Sequence, residues 1–184
     1  MKIFFKFTIL FGGISIFFLS CKKDPKEVDS MFELLQEYQG GVIVYVDKTA
    51  KHGIIASLTD QNGNMGADWN NGNVDAISTS ISIGAGSENT NNIVNKIGGG
   101  DYAAKLCFDL DLNGFNDWFL PSRDELDVLY KYRDTLNMSS RYWSSSGFGQ
   151  YLAYSQSFSS GMFGGLIESS WKYILYNVRC VRNF

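Results

Sequence analysis

Residues 113–125 read NGFNDWFLPSRDE, and the second half of this stretch carries the clearest structural signal in the chain. Ser122 and Glu125 stand three residues apart, which is the spacing of a capping box at the first turn of a helix. Asp124 and Glu125 also place negative charge at the positive end of that helix. The sequence therefore predicts a helix that runs to about Leu136. Its buried side chains are expected to be Leu126, Leu129 and Tyr130.

Two more helices are predicted upstream of this one. Ser87 is expected to cap a helix that runs to about Lys96 and is broken by the glycines at 98–100. Asp101 is expected to cap the next helix, in which apolar residues recur at helical spacing. Those apolar residues are Ala103, Leu106, Cys107 and Leu110. Cys107 is therefore expected to be buried.

A short amphipathic helix is also predicted at the start of the folded region. Ser30 and Glu33 have capping-box spacing, and the helix would end at Gly40 and Gly41. Four apolar residues recur at helical spacing between these limits: Met31, Leu34, Leu35 and Tyr38.

The remaining segments have the patterns of strands and loops. Residues 42–46 and 53–58 are apolar and β-branched, which predicts a strand pair. Residues 59–86 have no periodicity and are rich in Asn and Gly, so we expect a long irregular segment that is either functional or disordered. Four short strands are predicted near the C-terminus, at 142–145, 153–158, 171–176 and 178–182. Strands, then helices, then strands indicate the α+β class.

Composition limits the number of domains and the kind of partner. The chain has 184 residues, of which 45% are hydrophobic and 19% charged, so residues 31–184 are expected to form a single domain around one core. Sixteen basic and 19 acidic residues give a net charge of −3, which excludes the basic surface that nucleic-acid binding needs. One histidine and three cysteines are too few for a His/Cys zinc cage, a haem pair or an iron–sulfur cluster.

Residues 1–20 have the pattern of a signal peptide. Lys2 and Lys6 accompany an apolar run at 7–19 that is too short to span a bilayer. Ser20 and Cys21 resemble the cleavage site of bacterial lipoproteins, in an aromatic-rich form similar to that of Bacteroidetes. Cys21 is therefore the expected lipid attachment site, which ties the protein to the outer membrane on its periplasmic side or at the cell surface. Residues 21–30 would be a solvated tether. A plain secretory signal is the alternative.

The other two cysteines are expected to pair. If Cys21 carries lipid, Cys107 and Cys180 remain as an even number in an oxidising compartment, which favours a disulfide between them. Two buried free thiols are the alternative.

A weak calcium site is a candidate in the turn before Trp118. Asp109, Asp111, Asn113 and Asp117 supply oxygens at the spacing of the first half of an EF-hand loop, with Gly114 at the sharp turn. The twelfth position is Leu120, so the bidentate glutamate is missing and an EF-hand is excluded. The alternative is a plain turn that leads into a strand with a buried Trp118. Apart from this possible calcium, no cofactor is expected.

Aromatic residues supply the candidates for ligand contact, since flat rings flanked by small polar groups bind sugars and peptides well. Trp69 lies in the irregular segment and Trp171 near a strand edge, so both are predicted to be exposed contacts, together with Tyr151 and Tyr154. Trp118 and Trp143 are predicted to fill the core.

Nine segments stand in a fixed order along residues 38–184: GGVIVYVD at 40–47, GIIA at 53–56, DQ at 60–61, GAGSENT at 84–90, AAKLC at 103–107, NGFNDWFLPS at 113–122, DEL at 124–126, YWSSS at 142–146 and VRCVR at 178–182. This ordered set resembles the family of unknown function typified by the C-terminal domain of the Legionella collagen-like adhesin, close to the Fibrobacter major paralogous domains. The resemblance implies a C-type-lectin-like fold with small sheets, flanking helices and a long irregular loop region. The Glu-Pro-Asn and Gln-Pro-Asp triplets of calcium-dependent lectins are missing, so calcium-bridged sugar binding is not expected.

These observations lead to a functional hypothesis. The protein is expected to be a lipid-anchored, non-catalytic module of the bacterial envelope that binds a glycan or an envelope protein. One alternative is an enzyme similar to the formylglycine-generating proteins that modify sulfatases, because the terminal strand with Asn177 and Cys180 resembles theirs. The chemistry of those enzymes depends on copper and needs a reactive cysteine pair. The other alternative is a structural envelope lipoprotein without a soluble ligand.

Overall fold

A computed structural model of the chain describes residues 32–63 and 65–184. The predicted signal peptide, the lipid attachment site at Cys21 and the tether at 21–30 lie outside the described residues. Within them, three helices and seven strands form a mixed fold with two small antiparallel sheets. The α+β prediction is confirmed. Among the described residues, none of the helices is long and apolar enough to cross a bilayer.

The first sheet contains the predicted strand pair. Its strands are β1 (Glu37–Tyr38), β2 (Gly41–Val46), β3 (Gly53–Ala56) and β7 (Val181–Asn183), in the order β1-β2-β3-β7. The pairing of β2 with β3 confirms the prediction from their β-branched runs, and the side chains of β3 are fully covered.

The helix predicted around residues 30–38 is wrong over its described part. Leu35 has a positive φ of 67°, and its N–H donates to the carbonyl oxygen of Ile43 at 2.8 Å. Glu37 and Tyr38 then pair with β2 as β1. Bonding to β2 therefore replaces helix formation, and Leu34 and Leu35 stay exposed.

The three helices occupy the positions expected from the sequence, with different ends. They are α1 (Gly86–Ile97), α2 (Ala103–Phe108) and α3 (Arg123–Tyr130). The prediction that Ser87 and Asp101 cap α1 and α2 is wrong. Ala85 and Tyr102 stand at the N-caps, and neither helix has a side-chain cap. The predicted extension of α3 to Leu136 is also wrong, since the helix gives way to turns after Tyr130.

The capping box of α3 is confirmed. The Ser122 side chain accepts from the Glu125 N–H, and a Glu125 carboxylate oxygen accepts from the Ser122 N–H at 2.7 Å. The other carboxylate oxygen accepts from the N–H of Gly84 at 2.7 Å. Glu125 is therefore fully buried and fastens the irregular segment to α3. Burial raises the pKa of its carboxyl group.

The second sheet contains β4 (Arg141–Phe148), β5 (Leu152–Ser157) and β6 (Ile167–Trp171), in that order. The strand predicted at 171–176 is misplaced, because the sheet ends at Trp171 and a turn follows. The strand predicted at 178–182 is regular only at its end, in β7. Before β7, Tyr176, Asn177 and Val178 each form a single β-bridge, to Ala67, Tyr142 and Gln61 respectively.

The predicted disulfide joins α2 to this C-terminal segment. Cys107 and Cys180 are bonded, and both are fully buried. Around them lies a core that includes Trp118 and Trp143, as predicted.

Removing the disulfide is predicted to lower the free energy of unfolding by about 4 kcal/mol, because the bond closes a loop with a sequence separation of 73 residues. Urea unfolding of the full chain should show the loss in a Cys107→Ala/Cys180→Ala double variant. The Cys21→Ser variant is the control, since it leaves the disulfide in place. An unchanged midpoint in the double variant would contradict this assignment of the stabilising bond.

Candidate functional site

The exposed part of the second sheet carries a group of aromatic side chains. Leu152 of β5 is paired with Phe148 of β4 on one side and with Trp171 of β6 on the other. Directly paired residues point to the same face of a sheet, as do residues two apart on one strand. Phe148, Leu152, Tyr154 and Trp171 therefore share one face.

The rings on this face, together with two rings from the adjoining turns, form two groups of contacts. Phe148 and Tyr154 meet edge to face with ring centroids 5.5 Å apart. Tyr151 and Trp171 have centroids 6.4 Å apart, and Tyr173 lies 6.1 Å beyond Trp171 with its plane inclined by only 25°. We call these five residues the aromatic platform: Phe148, Tyr151, Tyr154, Trp171 and Tyr173.

The rings of the platform are accessible from outside. Phe148, Tyr151, Trp171 and Tyr173 are between 50% and 69% exposed, and Tyr154 is partly covered. Contiguous exposed apolar patches are uncommon on monomeric proteins, so this cluster is a candidate interaction surface. The tyrosine hydroxyls and the indole N–H add hydrogen-bonding groups at the edge of this apolar area.

The charged groups next to the platform are engaged with the protein itself. The Arg123 guanidinium lies 5.3 Å from the centre of the Tyr154 ring and is paired with Asp124 at 2.8 Å. Lys172 is buried, and its Nζ donates to the carbonyl oxygens of Gly149 and Gln150 at 3.2 and 2.9 Å. Burial lowers the pKa of Lys172. The platform is therefore an aromatic surface whose neighbouring cations, Arg123 and Lys172, are bonded within the protein.

Trp69, predicted to be an exposed ligand contact, is instead fully buried, and that prediction is wrong. Its indole N–H donates to the Ser144 carbonyl oxygen at 2.8 Å, and the indole N–H of Trp143 donates to the Ala67 carbonyl oxygen at 2.9 Å. The Lys172 ammonium lies 4.4 Å from the centre of the Trp69 ring. These contacts join the irregular segment to β4, so Trp69 is part of the core.

Of the other ligand-contact candidates, Tyr151, Tyr154 and Trp171 are brought together on the platform. Phe148 and Tyr173 were not predicted. Only strand register could have identified Phe148 as a member of the platform. Phe148 and Trp171 are known to share a face only when both are known to pair with Leu152. Tyr173 is two residues from Trp171, but the turn at 172–174 determines its position.

Three of the four calcium candidates, Asp109, Asp111 and Asp117, line part of a cavity of about 640 Å³ between α1 and the turn before Trp118. Arg182 holds Asp117 through two bonds of 2.7 and 2.8 Å, and its hydrogen bonds lower the pKa of that carboxyl. Asp109 is paired with Lys105. Asn113 has a positive φ of 55° and makes the turn with Gly114.

These four oxygens are therefore not assembled as a cation site. In the described part of the chain, no group of three or more His, Cys, Asp and Glu side chains could hold a metal ion. Asp111 also lines the cavity, without a hydrogen bond or ion pair. The geometry favours the plain turn, in which Asp117 is an anchor for Arg182.

A second polar cluster is buried around Asp60. One carboxylate oxygen is bonded to the Arg179 guanidinium at 2.7 and 2.6 Å, and the other accepts from Tyr142 at 2.9 Å and from Asn177 at 2.7 Å. Arg179 also donates to the carbonyl oxygens of Ser57 and Leu136, both at 3.0 Å. Burial and the Asp60 charge raise the pKa of Tyr142. Every member has a partner, so the cluster holds segments together.

Comparison with protein-family models and with curated proteins finds no match to the chain.

Replacing Asp60 with Ala is predicted to lower the free energy of unfolding by about 3 to 5 kcal/mol, because it leaves the buried Arg179 guanidinium without its counter-ion. The matched control is Asp75→Ala, which breaks an exposed ion pair to Lys96 and should cost less than about 1 kcal/mol. Chemical denaturation of both variants measures the difference. Equal losses would show that the Asp60 cluster does not hold the fold together.

Proposed function

We propose that the protein is a non-catalytic glycan-binding module, tethered to the bacterial envelope through Cys21, whose ligand lies on the aromatic platform. The observation behind the proposal is the set of five rings on the second sheet and its adjoining turns, four of which are at least half exposed. Sugar rings present C–H groups that pack against aromatic faces, while their hydroxyls bond to polar groups at the ring edges.

Charge favours an uncharged glycan over an ionic ligand. Arg123 is neutralised by Asp124, and Lys172 is buried and bonded to carbonyl oxygens. The chain as a whole carries a net charge of −3, so a polyanion would also meet general repulsion. A neutral sugar chain does not meet this repulsion and can pack against the full area of the rings.

The platform also has the rigidity that recognition needs. Tyr154 and Trp171 are in or at the end of paired strands, and Tyr151 lies in the tight turn between β4 and β5. The strand pairing and the hydrogen bonds of the buried Trp69 and Trp143 indoles behind the sheet fix these rings before a ligand arrives. Pre-ordered side chains lose less conformational freedom on binding, which favours affinity.

The fold and location assigned to this module follow the resemblance and the N-terminal pattern. We infer a C-type-lectin-like fold, for which the two small sheets, the three helices of the described residues and the irregular segment between β3 and α1 are the supporting features. The sulfatase-modifying alternative would need Cys180 as a reactive thiol, whereas Cys180 is buried and bonded to Cys107.

Binding to a glycan array should identify a neutral ligand for the full chain in detergent micelles, and Trp171→Ala should weaken that binding at least tenfold, about 1.4 kcal/mol. The expected loss comes from removing the central ring of the platform. Phe108→Ala is the matched control, because Phe108 is an exposed aromatic residue on α2, outside the platform. An array without any neutral ligand, or equal binding by both variants, would contradict the proposal.

A further inference from the structure

The outer edge of β6 offers unpaired main-chain groups. Lys172 N–H donates to the Tyr151 carbonyl oxygen at 3.0 Å, and Ser157 N–H donates to the Leu166 carbonyl oxygen at 3.0 Å. Bonding residues alternate along an antiparallel pair, so these two bonds fix which residues of β6 face β5. The N–H and C=O groups of the remaining three point away from it: Ile167, Ser169 and Trp171.

This edge is open within the part of the chain that the structure describes. No hydrogen bond reaches the outward main-chain groups of Ile167 or Ser169, and Trp171 accepts one bond there, from Ile174 N–H at 3.0 Å. The opposite edge of the same sheet is covered, since Trp143 and Ser145 of β4 donate to Asn177 and Pro121. The β4 edge of this sheet is therefore covered, whereas the β6 edge can accept another strand.

β6 also lacks the features that normally protect an edge strand. It has no proline, no lysine and no break in its register with β5. Its one charge, Glu168, is paired with Arg141 across the sheet at 2.8 Å. An unprotected edge of this kind accepts another strand readily.

We propose that β6 pairs with β6 of a second copy of this chain, antiparallel and with Ser169 on the two-fold axis. In this register Ile167 stands opposite Trp171 of the second copy, which is a favourable aromatic and β-branched pair. The small Ser169 meets its own equivalent at the axis. The three outward residues then form three pairs, with about four hydrogen bonds in total. The two Ser169 residues exchange two bonds, and each Trp171 N–H donates to the Ile167 carbonyl oxygen of the other copy, because the Trp171 carbonyl oxygens already accept from Ile174.

The charge pattern of β6 fits pairing with itself. Glu168 stands opposite Ser170 of the second copy, because the register centred on Ser169 pairs residues whose numbers are equally far from it. The two Glu168 carboxylates are therefore not paired with each other, and each keeps its own Arg141. This self-complementarity is what a two-fold interface requires.

Pairing would extend the second sheet from three strands to six across the two copies. The two-fold axis of an antiparallel strand pair is perpendicular to the sheet, so both aromatic platforms would face the same way. A ligand with repeating sugars could then contact both, which raises the apparent affinity without a new contact. The dimer itself is inferred from the strand edge and does not depend on what the platform binds.

The test is the association state of the full chain in detergent micelles, measured by sedimentation. The native chain should form dimers, and Ser169→Glu should weaken dimer formation at least tenfold because like charges would meet at the axis. Ser169→Lys should do the same, and an equimolar mixture of the two variants should associate again as a mixed dimer. Ser139→Glu is the control, since Ser139 is an exposed serine outside the sheets.

Restored association in the mixture distinguishes paired edges from a variant that has lost its fold, because misfolded chains would not regain a defined dimer. Tryptophan fluorescence of each variant supplies a second check of the fold. A native chain that stays monomeric at all concentrations, a Ser169→Glu variant that dimerises normally, or a mixture that fails to associate would each overturn the proposal.

Discussion

The structure depends on the buried C-terminal segment at 176–181, which lies between the two sheets. Its main chain is bridged to the irregular segment at Gln61 and Ala67, and to Phe119 ahead of α3. Cys180 is bonded to Cys107, while Arg179 is bonded to Asp60. A sheet of three or four short strands has too little apolar area to be stable alone. The segment lets two such sheets and their helices share one continuous interior.

This arrangement explains how large aromatic side chains can be left outside. Trp69 and Trp143 exchange indole hydrogen bonds with each other's segments and fill the space behind the second sheet. The inner face of the sheet is thereby complete, so the rings on the outer face are not needed for the core. An exposed aromatic group on a rigid sheet is then available for recognition, as is common where a stable scaffold presents a binding surface.

Local patterns allowed accurate prediction where neighbouring residues decide the outcome. The capping box of Ser122 and Glu125 and the strand pair of β2 and β3 follow from spacing and residue type. The pairing of the last two cysteines was predicted from their even number once Cys21 is set aside. Prediction failed where distant residues decide. Residues near Leu35 bond to β2 instead of forming a helix. Trp69 is buried against β4, where its hydrogen-bond partner Ser144 lies 75 residues away in the sequence, so no local pattern indicates its burial.

The candidate site shows the same division. Tyr151, Tyr154 and Trp171 stood out as aromatic residues among small polar ones, but their grouping on one face depends on the register of three strands. Phe148 and Tyr173 join them only through that register and the turn after β6. Residue type therefore suggested the chemistry of the surface, and long-range pairing determined its members.

Acrylamide quenching of tryptophan fluorescence tests whether a ligand binds on the aromatic platform. Trp69, Trp118 and Trp143 are buried while Trp171 is 50% exposed, so Trp171 should supply most of the readily quenched emission. A saturating glycan ligand should protect this emission from acrylamide, because the sugar covers the Trp171 ring. A ligand that binds tightly and leaves the quenching of Trp171 unchanged would contradict the assignment of the aromatic platform as the binding surface.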